Sequence, residues 1–283
     1  MLNNTQKEDI IDVIKTCLRN KFRNYKPESN NMPFHFRLLG KDRMALYSFI
    51  QSLNTTFGTS IFEPVAVALA KNRFQNVQSQ YVLGTTISQG SQSTIQQIMN
   101  NLTTGTSPDK ETEIKAIRKV CQQGKMNQLK TVKVDLFIES KDGEIFLFDL
   151  KTAKPNISNF KDFKRTLLEW VAIVLSTNPK AKANTLVAIP YNPYEPKPYE
   201  RWTLKGMLDI DNELKVAEEF WDFLGGKGAY NELLDCFEKA GIELRPEIDQ
   251  YFVRFNQKTE ILRYSDVFRC CLILFKDTGS NDP

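Results

Sequence analysis

Two aspartates and a lysine stand where such residues could do chemistry together. Asp135 interrupts one apolar run of the chain, Asp149 interrupts the next, and Lys151 follows two residues later. Charged side chains are rarely buried among apolar neighbours unless they are paired or bind a metal. Two carboxylates and an ammonium group are components from which a metal-assisted phosphodiester hydrolase can be built. This chemistry is the first hypothesis for the chain.

The two apolar runs predict a β-hairpin. Thr131–Glu139 and Glu144–Lys151 are rich in Val, Ile, Phe and Leu, which favour strands. Lys141-Asp142-Gly143 lies between them and supplies turn residues. The hairpin would bring the two aspartates close in space although they are far apart in the chain.

The length of the turn decides how the aspartates are placed. A three-residue loop with glycine in third place pairs Ser140 with Glu144. Counting back along both strands then pairs Asp135 with Asp149, with Cβ atoms about 4.5–5.5 Å apart. A two-residue loop at Asp142-Gly143 would instead put the two acids on opposite faces. The sequence leaves both registers open.

In the three-residue register, Lys151 shares a face with Asp149, because alternate residues of a strand point the same way. Two facing carboxylates repel and cannot both ionise at low cost without a cation between them. Asp135, Asp149 and the backbone carbonyl of Leu150 would then bind Mg²⁺, for which Mn²⁺ could substitute. Lys151 would position or deprotonate the attacking water. The alternative is a plain surface hairpin in which Lys151 merely pairs with Asp149.

The composition excludes several classes of hydrolase. His35 is the only histidine among 283 residues, so a zinc site or a histidine-based triad lacks its ligands or base. The cysteines are odd in number and show no CxxC spacing, which indicates a reducing compartment. No signal peptide and no window of roughly 18 apolar residues is visible. We therefore expect a cytoplasmic protein with no membrane contact.

Basic residues concentrate around the hairpin. Seven cations lie within Lys110–Lys133 against two acids, and five lie within Lys151–Arg165 against one. Such a concentration suits a polyanionic substrate, with Lys164 and Arg165 as expected phosphate contacts. A solvated lysine face, which binds nothing, is the alternative.

The remaining patterns predict a mixed α/β core with helices before and after the strands. A third strand is predicted at Thr185–Ile189.

The uncharged stretch Phe74–Pro108 predicts a polar connector, although its Gln and Asn side chains could also read base edges. Ile95–Leu102 keeps helical spacing within it. Ser265–Phe275 could be a strand or a buried helix. Apolar spacing predicts helices at Lys7–Arg23, Asp42–Ser52, from near Ser60 to Leu69, Lys110–Gln122, Asn159–Leu175, Asn212–Leu224 and Ala229–Ala240.

Longer strings of residues resemble a known family. Asp135 with Asp149-Leu150-Lys151 resembles the PD-(D/E)xK nuclease motif, although Val134 stands where the motif name has proline. Further strings that carry the resemblance are Phe62–Ala66, Asp149–Asn156, Leu167–Trp170, Pro190–Thr203 and Glu219–Phe223. Together they resemble the TdeIII-like type II restriction endonucleases, which are related to the SinI-type enzymes, over Gly58–Tyr251.

The resemblance implies a restriction-endonuclease-like fold, with a mixed sheet flanked by helices. It implies one catalytic and DNA-binding domain over residues 1–283, with N-terminal helices at 1–58 and a tail at 258–283 outside the match. It further implies a homodimer that cuts double-stranded DNA at a short palindrome, GGNCC or a narrower version of it, leaving 5′-phosphates. A cognate DNA methyltransferase would protect the host DNA.

The resemblance also assigns roles to single residues. Asp135, Asp149 and Lys151 receive the catalytic roles. Glu63 receives a supporting role at the metal, although an acid that opens a helix also simply complements the helix dipole. Lys154, Asn156 and Arg201 become DNA contacts, since Lys and Arg read guanine and Asn favours adenine. The prolines and aromatic residues of Pro190–Thr203 favour a rigid packed loop over base contacts.

Two other functions are compatible with the sequence. One is a different PD-(D/E)xK nuclease, such as a repair or junction-resolving enzyme. The other is a DNA-binding protein whose hairpin has no catalytic role. Cleavage of a defined plasmid into discrete bands distinguishes a sequence-specific nuclease from both.

Overall fold

The computed structural model describes residues 2–26, 32–151, 160–199 and 206–276. The chain forms two compact units, of which the first comprises residues 1–14 and 58–237 and the second residues 15–57 and 238–283. The first unit contains the predicted hairpin. A single domain over residues 1–283 stays a prediction, because two compact units can belong to one domain.

The helices agree with the sequence prediction in most places. Within the described ranges they are α1 (Asn4–Asn24), α2 (Pro33–Leu39), α3 (Lys41–Phe57), α4 (Glu63–Ala70), α5 (Gln89–Thr103), α6 (Lys110–Val120), α7 (Phe160–Thr177), α8 (Ile210–Glu213), α9 (Glu218–Gly225) and α10 (Ala229–Lys276). A π-helical turn at Gly58–Phe62 precedes α4. α10 continues past the predicted end at Ala240, so residues 265–275 are helical. None of the described helices has the length and apolar character needed to span a bilayer.

Five strands of the described chain form one mixed sheet. They are β1 (Asn76–Ser88), β2 (Met126–Glu139), β3 (Glu144–Leu150), β4 (Lys182–Ile189) and β5 (Leu214–Val216), in the order β1-β2-β3-β4-β5. β1, β2 and β3 are antiparallel neighbours, whereas β4 pairs in parallel with both β3 and β5. The predicted α/β class, with a mixed sheet flanked by helices, is confirmed.

The uncharged stretch Phe74–Pro108 is not a connector, because it forms β1 and α5. Its polar side chains conceal the strand pattern in the sequence, while Tyr81 stacks on Phe137 of β2 with ring centroids 4.2 Å apart. The start of α5 uses uncharged capping groups, since the Ser88 side chain accepts a hydrogen bond from the Ser91 N–H. Pairing with β2 therefore overrides the weak local signal.

A short strand, β5, interrupts the predicted helix Asn212–Leu224. Leu214 and Val216 are buried, and they pair in parallel with Val187 and Ile189 of β4. Helix resumes only in α9. Sheet pairing with a buried neighbour outweighs helical propensity at these three positions.

Helices cover both faces of the sheet around β3. Successive side chains of a strand point to opposite faces, so Leu147 and Phe148 face different layers. Phe148 packs on Phe220 of α9, with ring centroids 5.4 Å apart. Leu147 belongs to the same buried cluster as Leu167 of α7. Asp149 follows the alternation and shares the α7 face with Leu147.

Lys164 of α7 lies inside this layer and not on the surface. Its side chain is 0% exposed, and its ammonium nitrogen lies 2.8 Å from Glu213 of α8 and 2.5 Å from Glu113 of α6. The ion triad therefore ties three helices together. An enclosed ammonium group cannot reach a DNA phosphate, so Lys164 is a structural residue and not the DNA contact that the sequence predicted.

Replacing Lys164 with Ala is expected to lower the free energy of unfolding by about 3–5 kcal/mol, because two buried carboxylates lose their cation. Lys161→Ala, at an exposed position of the same helix, is the control and should change it by less than about 0.5 kcal/mol. Urea denaturation followed by circular dichroism measures both. A small loss in both variants would contradict the structural role of the triad.

Candidate active site

The hairpin closes through the three-residue loop. Gly143 has a φ of 75°, in the left-handed region that glycine adopts without steric cost, and its N–H donates to Ser140 O at 3.0 Å. The Ser140 N–H in turn donates to Glu144 O at 2.8 Å. Leu136 and Phe148 pair further along in the same register. The three-residue alternative is confirmed, and the two-residue loop is wrong.

Asp135 and Asp149 follow this register by one step and lie opposite each other. Asp135 Oδ2 accepts a hydrogen bond of 2.9 Å from the Leu150 N–H, which ties the side chain to the neighbouring strand. The pKa of Asp149 is raised to about 6, because burial and the neighbouring Asp135 raise it by more than the Lys151 ammonium group lowers it. Two acids in such an arrangement favour the binding of a cation.

Lys151 joins the cluster just past the end of β3. Its ammonium nitrogen lies 2.6 Å from Asp149 Oδ1 and 4.8 Å from the ring centroid of Phe163 on α7. Its backbone N–H donates to Ala188 O at 2.9 Å, which continues the ladder with β4. The backbone hydrogen bond, the Asp149 carboxylate and the ring of Phe163 together hold the Lys151 ammonium group in place. The Lys151 side chain is still 28% exposed.

Glu63 approaches the cluster from α4. It is the first residue of that helix and is 2% exposed. Its pKa is raised to about 7, because burial and the charge of Asp135 raise it by more than the hydrogen bonds from Gln80 lower it. Glu63 and Asp135 are therefore close enough for their charges to interact. Complementing the helix dipole explains the acid at this end of α4 but not why it is buried near a second acid.

Gln80 is a residue of the site that the sequence did not reveal. It lies on β1 opposite Asp135, between two paired positions of β1 and β2. Its side-chain nitrogen donates to both carboxylate oxygens of Glu63, at 3.0 and 2.9 Å. No local pattern distinguishes Gln80 from the other glutamines of the uncharged stretch 74–108. Only the pairing of β1 with β2 brings it to the cluster.

The donor set fits a divalent cation that prefers oxygen ligands. Asp135 and Asp149 offer carboxylates, and Leu150 offers a backbone carbonyl. Within the part of the chain that the structure describes, no three His, Cys, Asp or Glu side chains form a group that could hold a metal by themselves. Mg²⁺ commonly takes one or two carboxylates and completes its shell with water and substrate phosphate. Two carboxylates and a backbone carbonyl are oxygen donors of the kind that this ion takes.

The residues predicted to contact DNA fall into two groups. Lys154, Asn156 and Arg201 lie outside the described residues. Arg165 of α7 is partly exposed, and its guanidinium donates to the side-chain oxygen of Gln96 on α5 at 2.9 Å. It remains a candidate for a phosphate or base contact.

Residues 2–241 match the family model described as "Type II restriction endonuclease, HinfI". The chain belongs to this family. Its relatives include the type II restriction enzymes HgiCII and HgiEI of Herpetosiphon aurantiacus, which are 25% and 26% identical to it over 221 and 223 residues. These alignments cover 76% and 77% of this chain and 80% of each relative. The type II restriction enzyme MjaII of Methanocaldococcus jannaschii is 27% identical over an alignment of 257 residues that covers 80% of this chain and 66% of the relative.

Membership of the HinfI family confirms the predicted class of enzyme. The chain is a type II restriction endonuclease, which is a site-specific deoxyribonuclease. The narrower resemblance to TdeIII-like and SinI-type enzymes stays a prediction, as does the assignment to the PD-(D/E)xK nucleases. The family match includes residues 2–57, which lie before the start of the narrower resemblance at Gly58.

Without metal, this HinfI-family enzyme is expected to become more stable as the pH falls from 8 to 6. The pKa values of Glu63 and Asp149 in the folded protein are about 7 and about 6, above those of the unfolded chain, so the folded state binds more protons in this window. This stabilisation is complete below the unfolded pKa values and is lost as the pH rises through the folded ones. Thermal unfolding in EDTA at several pH values measures it.

The variant Glu63→Gln provides the control for this pH dependence. It cannot titrate at this position, so its midpoint of unfolding should vary less between pH 8 and 6 than that of the wild type. An equally steep profile in the variant, or a wild type that gains stability as the pH rises, would show that the buried acids do not dominate.

Proposed function

We propose that this enzyme cuts both strands of DNA at a short palindrome by hydrolysing a phosphodiester at Asp135, Asp149 and Lys151. The observation that carries the proposal is the register that sets two carboxylates against each other, with the Lys151 ammonium 2.6 Å from one of them. Family membership supplies the substrate class. The cluster supplies acidic groups for a cation and a cation for the phosphate.

The proposed cofactor is Mg²⁺, with Mn²⁺ as a substitute. Type II restriction endonucleases generally need a divalent metal, and Asp135, Asp149 and the Leu150 carbonyl are the residues that would hold it. When bound, the ion would supply positive charge to the scissile phosphate and activate a water as the nucleophile. The raised pKa of Asp149 supports this assignment, because a cation favours the ionised form of a buried acid.

The contacts of Lys151 and Asp135 decide what each residue would do in the proposed reaction. Asp149 and the face of Phe163 contact the Lys151 ammonium group, which would orient the attacking water and neutralise the phosphate. The Leu150 N–H keeps Asp135 turned towards β3. Attack of water at phosphorus breaks the bond to the 3′ oxygen and leaves a 5′-phosphate and a 3′-hydroxyl. Glu63 would add a supporting negative charge at the edge of the site.

Recognition and assembly follow from the substrate. We propose that Arg165, Lys154, Asn156 and Arg201 contact DNA, and that the target is GGNCC or a narrower version of it. A palindrome is two-fold symmetric, so a homodimer with one site per subunit would cut both strands. A cognate methyltransferase would protect the host DNA in the cytoplasm, where both enzymes would act.

Digestion of a plasmid with mapped GGNCC sites tests the proposed function. In Mg²⁺ we expect discrete bands whose sequenced ends lie within GGNCC or a subset of it and carry 5′-phosphates. EDTA should stop cleavage, and Ca²⁺ should support binding without efficient cleavage, because it takes looser geometry at longer distances. A smear, or cutting only at branched DNA, would indicate a repair or junction nuclease. Binding without cleavage in Mg²⁺ would leave only a DNA-binding role.

Asp149→Asn and Lys151→Met test the site itself. Each is expected to slow single-turnover cleavage by about 100-fold or more, because the lost group acts on charge that develops at the phosphate. Specific DNA binding should be largely retained in both. Asp142→Asn and Lys141→Met make the same chemical changes at the exposed turn of the same hairpin and should cut like the wild type. Near-normal cutting by either site variant would show that the assignment is wrong.

A further inference from the structure

Gln80 has a backbone conformation that is unusual within a strand. Its φ is 50°, and among the described non-glycine residues only Gln80 and Ala217 have a positive φ. Regular strands have φ near −120° to −140°, and a side chain with a Cβ is disfavoured in the left-handed region. Residues held in such conformations persist where the surroundings enforce them, and they cluster at functional sites.

A residue with this conformation, Gln80, contacts Glu63 through its side chain. Gln80 has this left-handed backbone between the paired positions Ser79 and Tyr81. Its amide nitrogen meets both oxygens of the Glu63 carboxylate at 3.0 and 2.9 Å. Only the nitrogen end of the amide can face two carboxylate oxygens, since its oxygen would be repelled. Because Glu63 is 2% exposed, water does little to orient its carboxylate.

Glutamine is a neutral residue, and this distinguishes it from the other side chains that could donate to Glu63. A Lys or Arg at this position would form an ion pair with Glu63 and cancel its charge. A neutral amide fixes the orientation of the carboxylate while leaving its negative charge available to a cation. Gln80 also lies opposite Asp135 in the β1–β2 register, so the Glu63 carboxylate is held on the side of the site where the acids gather.

We propose that Gln80 is a positioning residue, whose strained backbone conformation is retained because it holds the Glu63 carboxylate in place at the edge of the metal site. The inference rests on the proposed function, because it takes Asp135 and Asp149 as ligands of a divalent cation. It goes beyond that function by adding a residue from β1 and by giving the strained backbone a purpose.

Two substitutions separate the backbone of Gln80 from its amide. Gln80→Gly relieves the strain, since glycine adopts a positive φ freely, and it removes the amide. Gln80→Met keeps the length of the side chain and the strain, and removes only the hydrogen-bond donors. Both variants are expected to lose about tenfold or more in single-turnover cleavage and in the Mn²⁺ affinity of the DNA-free protein, measured by calorimetry. Gln80→Gly alone should unfold at a temperature equal to or above that of the wild type.

Gln78→Gly is the matched control. Gln78 lies two residues earlier on β1, pairs with Phe137 and has an ordinary strand backbone. Glycine weakens a regular strand, so this variant should unfold at a lower temperature than the wild type while its cleavage and Mn²⁺ affinity stay unchanged. The opposite signs of the two glycine substitutions identify a position where function, and not folding, maintains the residue.

A double-mutant cycle tests whether Gln80 acts through Glu63. In the Glu63→Gln background, Gln80→Met should cause no further loss of cleavage or Mn²⁺ affinity, because the carboxylate that it orients is already gone. A full additional loss would overturn the inference and indicate a direct contact of Gln80 with DNA. Wild-type cleavage and Mn²⁺ affinity in Gln80→Met would overturn it as well.

Failure of this inference is distinguishable from failure of the proposed function. If Asp149→Asn cuts normally or the wild type cuts in EDTA, the proposed metal-dependent site is wrong, and the role of Gln80 falls with it. If Asp149→Asn is inactive while Gln80→Gly and Gln80→Met cut normally, the site stands and only the positioning role of Gln80 is refuted.

Discussion

Asp135 and Asp149 carry like charges, and the pairing of β2 with β3 sets them face to face. Burial of Asp149 and its repulsion by Asp135 raise the pKa of Asp149 even though Lys151 opposes the shift, so the pair favours the binding of a further cation. The interaction between the two side chains does not favour this geometry, so the pairing of the strands must determine it. The Gly143 turn sets the register, and a slip of one residue would send one acid to the opposite face of the sheet.

A strand register that sets two acids opposite each other must be stabilised by packing around the strands. Apolar layers on both faces of β3 provide it, with α9 against Phe148 and α7 against Leu147. Each fully buried side chain of this kind contributes about 1.5–3 kcal/mol, so the side chains of both layers together outweigh a repulsion of about 3–4 kcal/mol between two neighbouring carboxylates. The buried ion triad around Lys164 fixes α7 to α6 and α8 by different means. Among the ion pairs described, Lys164, Glu113 and Glu213 do not contact the candidate active-site cluster. They nevertheless hold α7 in place, and Phe163 of that helix contacts the Lys151 ammonium group.

The sequence predicted the hairpin, because strand composition and turn residues agree within Thr131–Lys151. It left two turn lengths open, so the facing of the two aspartates was one of two alternatives until the structure gave the register. Gln80 was beyond prediction, because its role depends on pairing with a distant strand and on a backbone conformation that glutamine rarely adopts. For Glu63 the sequence supplied the residue but not its environment, since burial beside Asp135 arises only when α4 packs against the sheet.

α7 shows why position in the sequence did not decide which cations are buried and which are exposed. Consecutive side chains of a helix point about 100° apart, so neighbouring residues enter different surroundings. Phe163 contacts the Lys151 ammonium group, Lys164 is enclosed by two glutamates, and Arg165 reaches Gln96 on α5. Three consecutive residues of one helix thus contact the proposed catalytic lysine, the interior and the surface. A displacement of α7 would disturb all three together, which links the buried triad to the orientation of the Lys151 ammonium group through Phe163.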